Sequence, residues 1–493
     1  MKRKLYTLFL IQLAILPILW EEMDCQAQNN PDIKRTMHWY FGQKAGIDFS
    51  TGTAVADTNG QLDLGSSLGC ATISDTVGNL LFYTDGQSVY NKNHQIMNNG
   101  NDLYSYGSCH QSSIIIPKPM STNIYYIFTT DGFEHGGSLG LRYTIVDINA
   151  NNGLGDVIEK NILLFNPNSE ILASIKHKNC QDIWVVAHER YNNCFRSYLV
   201  TKFGVDTNPV ISCIGHAGQY SPYGYMLKFS PDGSKAVSTA PAPYDSVFEL
   251  TGMYYIDLLN FNNTSGLFTN LITIQTDTFI GGLSFSPDNN KLYIFSSNVW
   301  VNPSRVYQFD VSIWDSSVIS LTKIIIIPPN SIYGFGDFQI APNNEIFVGK
   351  DTDSSYIAII HNPNATGLSC DFDIDGLYLN GKTCGYSLPN FIESYFDTII
   401  CYNNINNELL ENNDKISIYP NPFDDCTTIE LYTEFEINNA ELELYDMLGN
   451  EVFQSKINAQ KFILKRNNLS SGIYLLKIKL DNNQIYNNKL IIN

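Results

Sequence analysis

Along most of the chain, apolar residues alternate with small polar ones over short runs, and the runs come in pairs joined by tight turns. The clearest pair is Gly281-Gly282-Leu283-Ser284-Phe285-Ser286-Pro287-Asp288-Asn289-Asn290-Lys291-Leu292-Tyr293-Ile294-Phe295. Alternation with period two predicts strands with one buried face. Proline presets φ, and Asp and Asn tolerate positive φ, so residues 287–290 predict the turn. The same pattern recurs at Met226-Leu227-Lys228-Phe229-Ser230-Pro231-Asp232-Gly233-Ser234-Lys235-Ala236-Val237. With weaker copies included, the second strands centre on Phe82, Phe128, Val185, Val237, Ile294 and Val348, 46 to 57 residues apart. Alternating runs at 142–148, 253–257 and 305–311 predict third strands, and 322–328 predicts a fourth. Four strands in roughly 50 residues, with no amphipathic helix, predict a β-propeller. A lone four-stranded sheet leaves its faces wet, whereas a closed ring of sheets covers them.

Six copies are complete. A seventh first strand is predicted at residues 385–392, and the runs His38–Gly42 and Gly46–Phe49 are predicted to join it, so that the two ends of the repeat close one blade. Six blades with an N-terminal cap is the alternative. Residues 403–415 are polar and repeat-free and read as a linker. From Ile416 the strands lose the propeller spacing, and residues 416–493 predict a small Ig-like β-sandwich. The predicted class is therefore all-β: a seven-bladed β-propeller over residues 28–402, then the sandwich.

The N-terminus changes the setting. Met1-Lys2-Arg3-Lys4 precedes an apolar run from Leu5 to Trp20, and Cys25-Gln26-Ala27 offers small residues for cleavage, so residues 1–27 read as a signal peptide. No other stretch reaches the ~18 apolar residues of a spanning helix, so no membrane span is predicted. The formal net charge is −19, which argues against nucleic acid and anionic membranes as partners. Export permits disulfides among the nine cysteines that follow the signal peptide, and Cys180–Cys194 and Cys370–Cys384 are the predicted bridges. No Cys-x-x-Cys pair or Cys/His cluster occurs, so no structural zinc site is predicted.

Candidate chemistry is sparse. Gly136-Gly137-Ser138-Leu139-Gly140 is a literal G-x-S-x-G, but a strand pattern rather than a helix follows it, so it reads as a loop. Asp371, Asp373 and Asp375, with Gly376, open like a calcium loop. Lys382 stands where that loop needs a bidentate glutamate, so an acidic turn is preferred, and calcium is the one cofactor for which the chain offers a ligand set. His110, His188 and His216 are predicted near strand ends, where a propeller could gather them at a tunnel mouth. Tyr220, Tyr223 and Tyr225 form an aromatic loop suited to a glycan or protein surface.

The tail carries a resemblance. Ile418-Tyr419-Pro420-Asn421-Pro422, then Leu444-Tyr445-Asp446-Met447-Leu448-Gly449, then Leu469-Ser470-Ser471-Gly472-Ile473-Tyr474-Leu475-Leu476-Lys477-Ile478, and finally Lys489-Leu490-Ile491-Ile492 resemble, in that order, the C-terminal sorting domain of type IX secretion cargo of Bacteroidota. The resemblance implies that Tyr419, Pro420, Asn421, Pro422, Asp446, Gly449, Gly472, Tyr474 and Lys489 belong to a signal read by the secretion machinery. It also implies periplasmic passage and delivery to the outer-membrane surface or the medium. His38-Trp39-Tyr40-Phe41-Gly42, Asn79-Leu80-Leu81-Phe82-Tyr83-Thr84-Asp85-Gly86 and Leu388-Pro389-Asn390-Phe391 resemble large secreted proteins of the same bacteria, read as propellers of unassigned role. Two functions follow as expectations. One is an exported propeller that binds an extracellular protein or glycan. The other is a propeller enzyme, a carbohydrate- or lactone-acting hydrolase or lyase, with its centre on the tunnel axis.

Overall fold

The computed structural model describes residues 31–64, 69–107, 109–132, 135–217, 226–241, 254–276, 279–298, 302–327, 334–350, 354–397, 416–431, 440–446, 450–480 and 485–493. The expected signal peptide (1–27) and linker (403–415) lie outside the described residues, as do Tyr220, Tyr223, Tyr225 and Gly449. The chain divides into two compact units, residues 1–400 and 401–493.

The described residues of the first unit form seven antiparallel sheets that follow one another along the chain. The N-terminal sheet is His38–Phe41, Ala45–Asp48 and Val55–Asp57. The other six begin with Ala71–Ser74, Ser113–Pro117, Asn168–Lys176, Met226–Phe229, Phe279–Phe285 and Phe335–Ile340. Each of these six strands contacts the next in chain order. The last sheet meets the N-terminal one through Phe347, whose ring lies 5.5 Å from Trp39 and 5.4 Å from Phe49. The result is an all-β, propeller-like ring. Its energetics follow the predicted alternation. Met226, Val237 and Leu258 of the fifth sheet share one apolar cluster with Leu283, Phe285 and Ile294 of the sixth, so each sheet covers its neighbour. The predicted turn is also present: Ser286 N–H donates to Lys291 O at 2.9 Å, and Asn289 takes φ 64°.

The chain end closes the ring in a way the repeat alone does not show. Residues 385–392, expected as the first strand of a seventh blade with the N-terminal strands, do not join that sheet, although they lie against it, with Phe391 5.8 Å from Trp39. They form no ladder there. Instead the segment runs along the axis and bonds to several sheets, one or two bonds each. Asp337 N–H donates to Tyr386 O at 2.7 Å, and Asn390 N–H donates to Cys70 O at 2.8 Å. The Asn390 side-chain amide donates to Leu172 O at 2.9 Å and to Ser113 O at 3.3 Å, and Lys176 N–H donates to Ser394 Oγ at 3.1 Å. Pro389 has no N–H to give a ladder, and the surrounding strands belong to different sheets. Close approach is built in at Gly336, where a Cβ would fall 1.9 Å from Tyr386 O. At the far end the short helix Glu393–Phe396 packs against Ile33–Thr36, so both described ends of the ring meet on one face.

Two further sequence expectations are corrected. Among the described residues a disulfide joins Cys194 to Cys213, which are directly opposed in paired strands; Cys180 is disulfide-bonded as well, but not to Cys194. Cys180 and Cys194 lie at opposite ends of the strand Ile183–Glu189, about 20 Å of extended chain, far beyond bridging distance. Cys370 and Cys384 are likewise parted by Phe372–Tyr378, and both are free and buried. The calcium-loop reading fails for the same reason. Phe372–Tyr378 is a strand, so Asp373 and Asp375 point along one exposed side instead of wrapping around a centre, and Asp375 pairs with Lys350. Asp371 caps the preceding short helix with φ 56°.

The second unit is a two-sheet sandwich. One sheet holds Ile416–Tyr419, Cys426–Leu431 and Lys461–Lys465; the other holds Glu451–Ile457, Ala440–Tyr445, Gly472–Lys479 and Ile485–Ile492. Ile429, Leu431 and Leu464 from the first pack against Leu444, Leu476 and Leu490 from the second.

Candidate functional site: a looped face, a filled axis and the tail motif

The face on which the six inner strands begin carries all three candidate histidines, but each has its own setting. His110 is buried just before Ser113–Pro117, and burial pushes its imidazole down to about 4. His188 ends Ile183–Glu189 with its Nδ1 2.6 Å from Glu189 O and its ring edge-on to Phe195. Burial pushes it down to about 4 as well. His216 follows the disulfide-stapled strand and is held by Asp257. Its N–H donates to Asp257 Oδ2 at 2.7 Å, its Nδ1 lies 2.9 Å from Asp257 Oδ1, and its ring stacks on Tyr255 at 3.7 Å. Thr273 Oγ1 also donates to Asp257, at 2.8 Å. That carboxylate anchors the connector between two sheets. The sequence reading missed Asp257. Its signal was an acid inside the apolar run Tyr254-Tyr255-Ile256-Asp257-Leu258.

Asp131 organises the neighbouring loop in the same way. It is fully buried, accepts from Gly132 N–H and Leu139 N–H, both at 2.9 Å, and lies 3.2 Å from His135 Nδ1. The G-x-S-x-G motif therefore sits in a loop before the strand Leu141–Asp147, with no helix behind Ser138. Gly137 is required because a Cβ would fall 2.1 Å from Asn168 O.

The axis holds charges that no motif announced. Lys228 Nζ donates to Glu393 Oε1 and to Gln339 Oε1, each at 2.7 Å, and all three side chains are buried. Asp337 lies nearby and accepts from Leu388 N–H at 3.2 Å. Burial raises both carboxyls, Asp337 to about 7, with Lys228 opposing the rise at each. One cation faces two buried carboxyls, and burial favours the neutral form of each. Lys228 and Asp337 were visible only as charges inside otherwise apolar strands.

The signs of these shifts set a pH dependence. His110 and His188 have folded values below the ordinary 6.5, so the stability they allow is present above about 6.5 and is lost as pH falls towards 4. Asp337 has a folded value above 3.8, so its contribution is present at low pH and is lost as pH rises through about 7. Replacing Asp337 with Asn is expected to leave the ring near wild-type stability at pH 4 and to raise it by roughly 2–4 kcal/mol at pH 8. Urea melts at the two pH values measure this. Equal midpoints for the two proteins at pH 8 would refute the assignment.

The tail motif has a physical reading. Asn421 donates its side-chain amide to Lys489 O and accepts from Ile491 N–H, both at 2.8 Å, acting as a strand partner for the free edge of Ile485–Ile492. Pro420 O accepts from Thr427 Oγ1 at 2.6 Å. Both prolines of Tyr419-Pro420-Asn421-Pro422 follow cis bonds. Tyr419 donates to Glu430 at 2.9 Å and accepts from Lys461 at 2.7 Å. Asp446 accepts from Asn450 N–H at 2.9 Å. Gly472 opens the strand that pairs with Ile485–Ile492, and Tyr474, on the same strand, is buried with its hydroxyl on Ser470 O at 2.8 Å.

Residues 417–493 match the secretion system C-terminal sorting domain family. The tail is a type IX sorting domain. The sorting domain marks the chain for type IX export to the cell surface or the medium. Among the described residues no helix is long and apolar enough to cross a membrane. Two curated proteins share a stretch as long as the sorting domain. An endo-acting ulvan lyase of Formosa agariphila is 36% identical over 78 residues, which is 16% of this chain and 14% of that protein. Ulvan lyase NLR42 of Nonlabens ulvanivorans is 32% identical over 80 residues, again 16% and 14%. The chain thus spans about one-seventh of the length of either relative. Among solved structures, PorZ, a surface component of the type IX secretion system of Porphyromonas gingivalis, is 10% identical with a TM-score of 0.36, covering 92% of this chain and 59% of that one. A putative 6-phosphogluconolactonase of Bacteroides fragilis is 14% identical with a TM-score of 0.41, covering 71% and 96%.

Proposed function

We propose that the exported ring is a binding module, taking an extracellular protein or glycan on its looped face, and that the sorting domain serves its delivery. The carrying observation is the filled axis. A tunnel-centred hydrolase or lyase needs an open channel with acid, base and substrate within hydrogen-bond reach. Here the channel holds residues 385–396, Lys228 is bonded to Glu393 and Gln339, and Asp337 accepts from Leu388 N–H. On the looped face the ionisable groups are paired for support: His216 with Asp257, His135 with Asp131, and Arg196 with Glu189 at 2.7 Å. They brace loops and present a surface.

The test is a screen of the full-length purified protein against extracellular polysaccharides and surface proteins. Saturable binding without change in the bound partner is the expected result. Release of new reducing ends from a bound polysaccharide, or opening of a lactone, would overturn the reading.

A further inference from the structure

The buried charges on the axis include a member that an ion pair does not need. Lys228 Nζ donates to Glu393 Oε1 and to Gln339 Oε1, each at 2.7 Å. Glu393 is hydrogen-bonded to the Gln339 side chain as well, so the three groups form a closed triangle. Lys228 is 5% exposed, Glu393 2% and Gln339 1%. Leu227 and Phe229 flank Lys228, Phe338 and Ile340 flank Gln339, and all four are buried. An amine, a carboxamide and a carboxyl thus share one site from which water is excluded.

Stability alone does not account for these residues, because apolar side chains of matched volume often serve as well as a buried ion pair or better. The geometry suits a reaction. Gln339 Oε1 is one C=O bond, about 1.2 Å, from Cδ, so Nζ lies within about 4 Å of Cδ. A held nucleophile attacks from about 3–3.5 Å, so little movement is needed. Burial favours the neutral form of Glu393, and an amine beside a neutral acid is the reactive arrangement.

We propose that Lys228 and Gln339 join in an intramolecular amide bond, with Glu393 as the acid–base catalyst and ammonia as the leaving group. The ion pair is the reactant state. Nζ first passes a proton to Glu393, which leaves a neutral amine and a neutral acid. The lone pair on Nζ then forms the Nζ–Cδ bond. Glu393 gives its proton to Nε2, the Cδ–Nε2 bond breaks, and Nε2 leaves as ammonia. The surplus proton on Nζ returns to Glu393, so the balance needs no oxidant, reductant or cofactor. The product ties the first strand of the fifth sheet to that of the seventh, across the sixth and 111 residues of chain. A bond that closes so long a loop constrains the unfolded chain and disfavours unfolding. Glu393 reaches the site only with the axis segment, so the bond forms only in a ring whose end has seated. The cross-link goes beyond the binding reading and is independent of what the looped face takes.

The test is trypsin digestion and mass spectrometry of the full-length purified protein. The expected result is a branched peptide that joins the segments holding Lys228 and Gln339, one ammonia lighter than their sum and uncut after Lys228. Loss of ammonia elsewhere in the chain gives the same total mass, so the branched peptide is the deciding readout. Glu393→Gln keeps both reacting side chains and removes the acid. It is expected to lower the branched fraction about tenfold or more, since general acid–base catalysis supplies roughly 10²–10⁴ in rate. Lys228→Met should abolish the branch. Circular dichroism of both variants separates a lost catalyst from a lost fold, and if a variant does not fold the wild-type digest still decides. Unbranched peptides from a wild-type protein that melts cooperatively would overturn the proposal. So would a branch from Lys228 to Glu393 or Asp337, which is lighter by water, or a folded Glu393→Gln protein branched as fully as wild type.

Discussion

A chain that ends at residue 384 is expected to lose the folded ring, whereas one that ends at residue 397 keeps it. The twelve residues 385–396 bury Leu388, Phe391, Ile392, Tyr395 and Phe396, each at most 3% exposed. Burying a large apolar side chain is worth about 1.5–3 kcal/mol, so the five together are worth on the order of 10 kcal/mol before the cost of ordering the segment. That is the size of a whole domain's net stability, about 5–15 kcal/mol. Truncation also strands Lys228, whose charge is answered at the axis by Glu393 at 2.7 Å. Removing one partner of a buried pair costs about 3–5 kcal/mol. Circular dichroism melts and limited proteolysis of the two truncated proteins decide the matter. A cooperative melt at the wild-type temperature for the chain ending at 384 would show that the axis segment is dispensable.

The second large effect is on delivery. Deleting residues 416–493 is expected to abolish export across the outer membrane and leave the ring folded in the periplasm. The sorting domain has its own core and lies in a separate compact unit, and the seven sheets have cores of their own. Cell fractionation, with protease shaving of intact cells, reports the outcome. Surface delivery of the deleted chain at the wild-type level would refute the role of the tail. Because the chain ending at 397 should melt like the intact ring, a folding failure and a sorting failure are read separately.

Much of the architecture was legible in local pattern. Period-two alternation placed the strand pairs at Leu283 and Leu292 and at Leu227 and Val237, and the Pro-Asp turns placed the hairpins, because both signals depend on residues that touch within one sheet. The tail was legible for a related reason. Tyr419-Pro420-Asn421-Pro422 and Lys489-Leu490-Ile491-Ile492 are contiguous words, even though Asn421 acts on a strand 68 to 70 residues away. The supporting charges were not legible. Asp257 meets His216 across 41 residues, Lys228 meets Glu393 across 165, and nothing in either local run names the partner. The disulfide was misread because spacing along the chain does not say on which end of a strand a cysteine falls. Cys194 finds Cys213 only once the strands pair.

The order of residues alone decided that this chain makes short paired strands and carries a sorting domain at its end. These follow from alternation, turn chemistry and contiguous motif. Only the folded molecule decided that the closing segment fills the axis and that Lys228, Asp337 and Glu393 are buried there together. Each of these depends on bringing distant residues within a few ångströms, and burial and electrostatics act through space rather than along the chain.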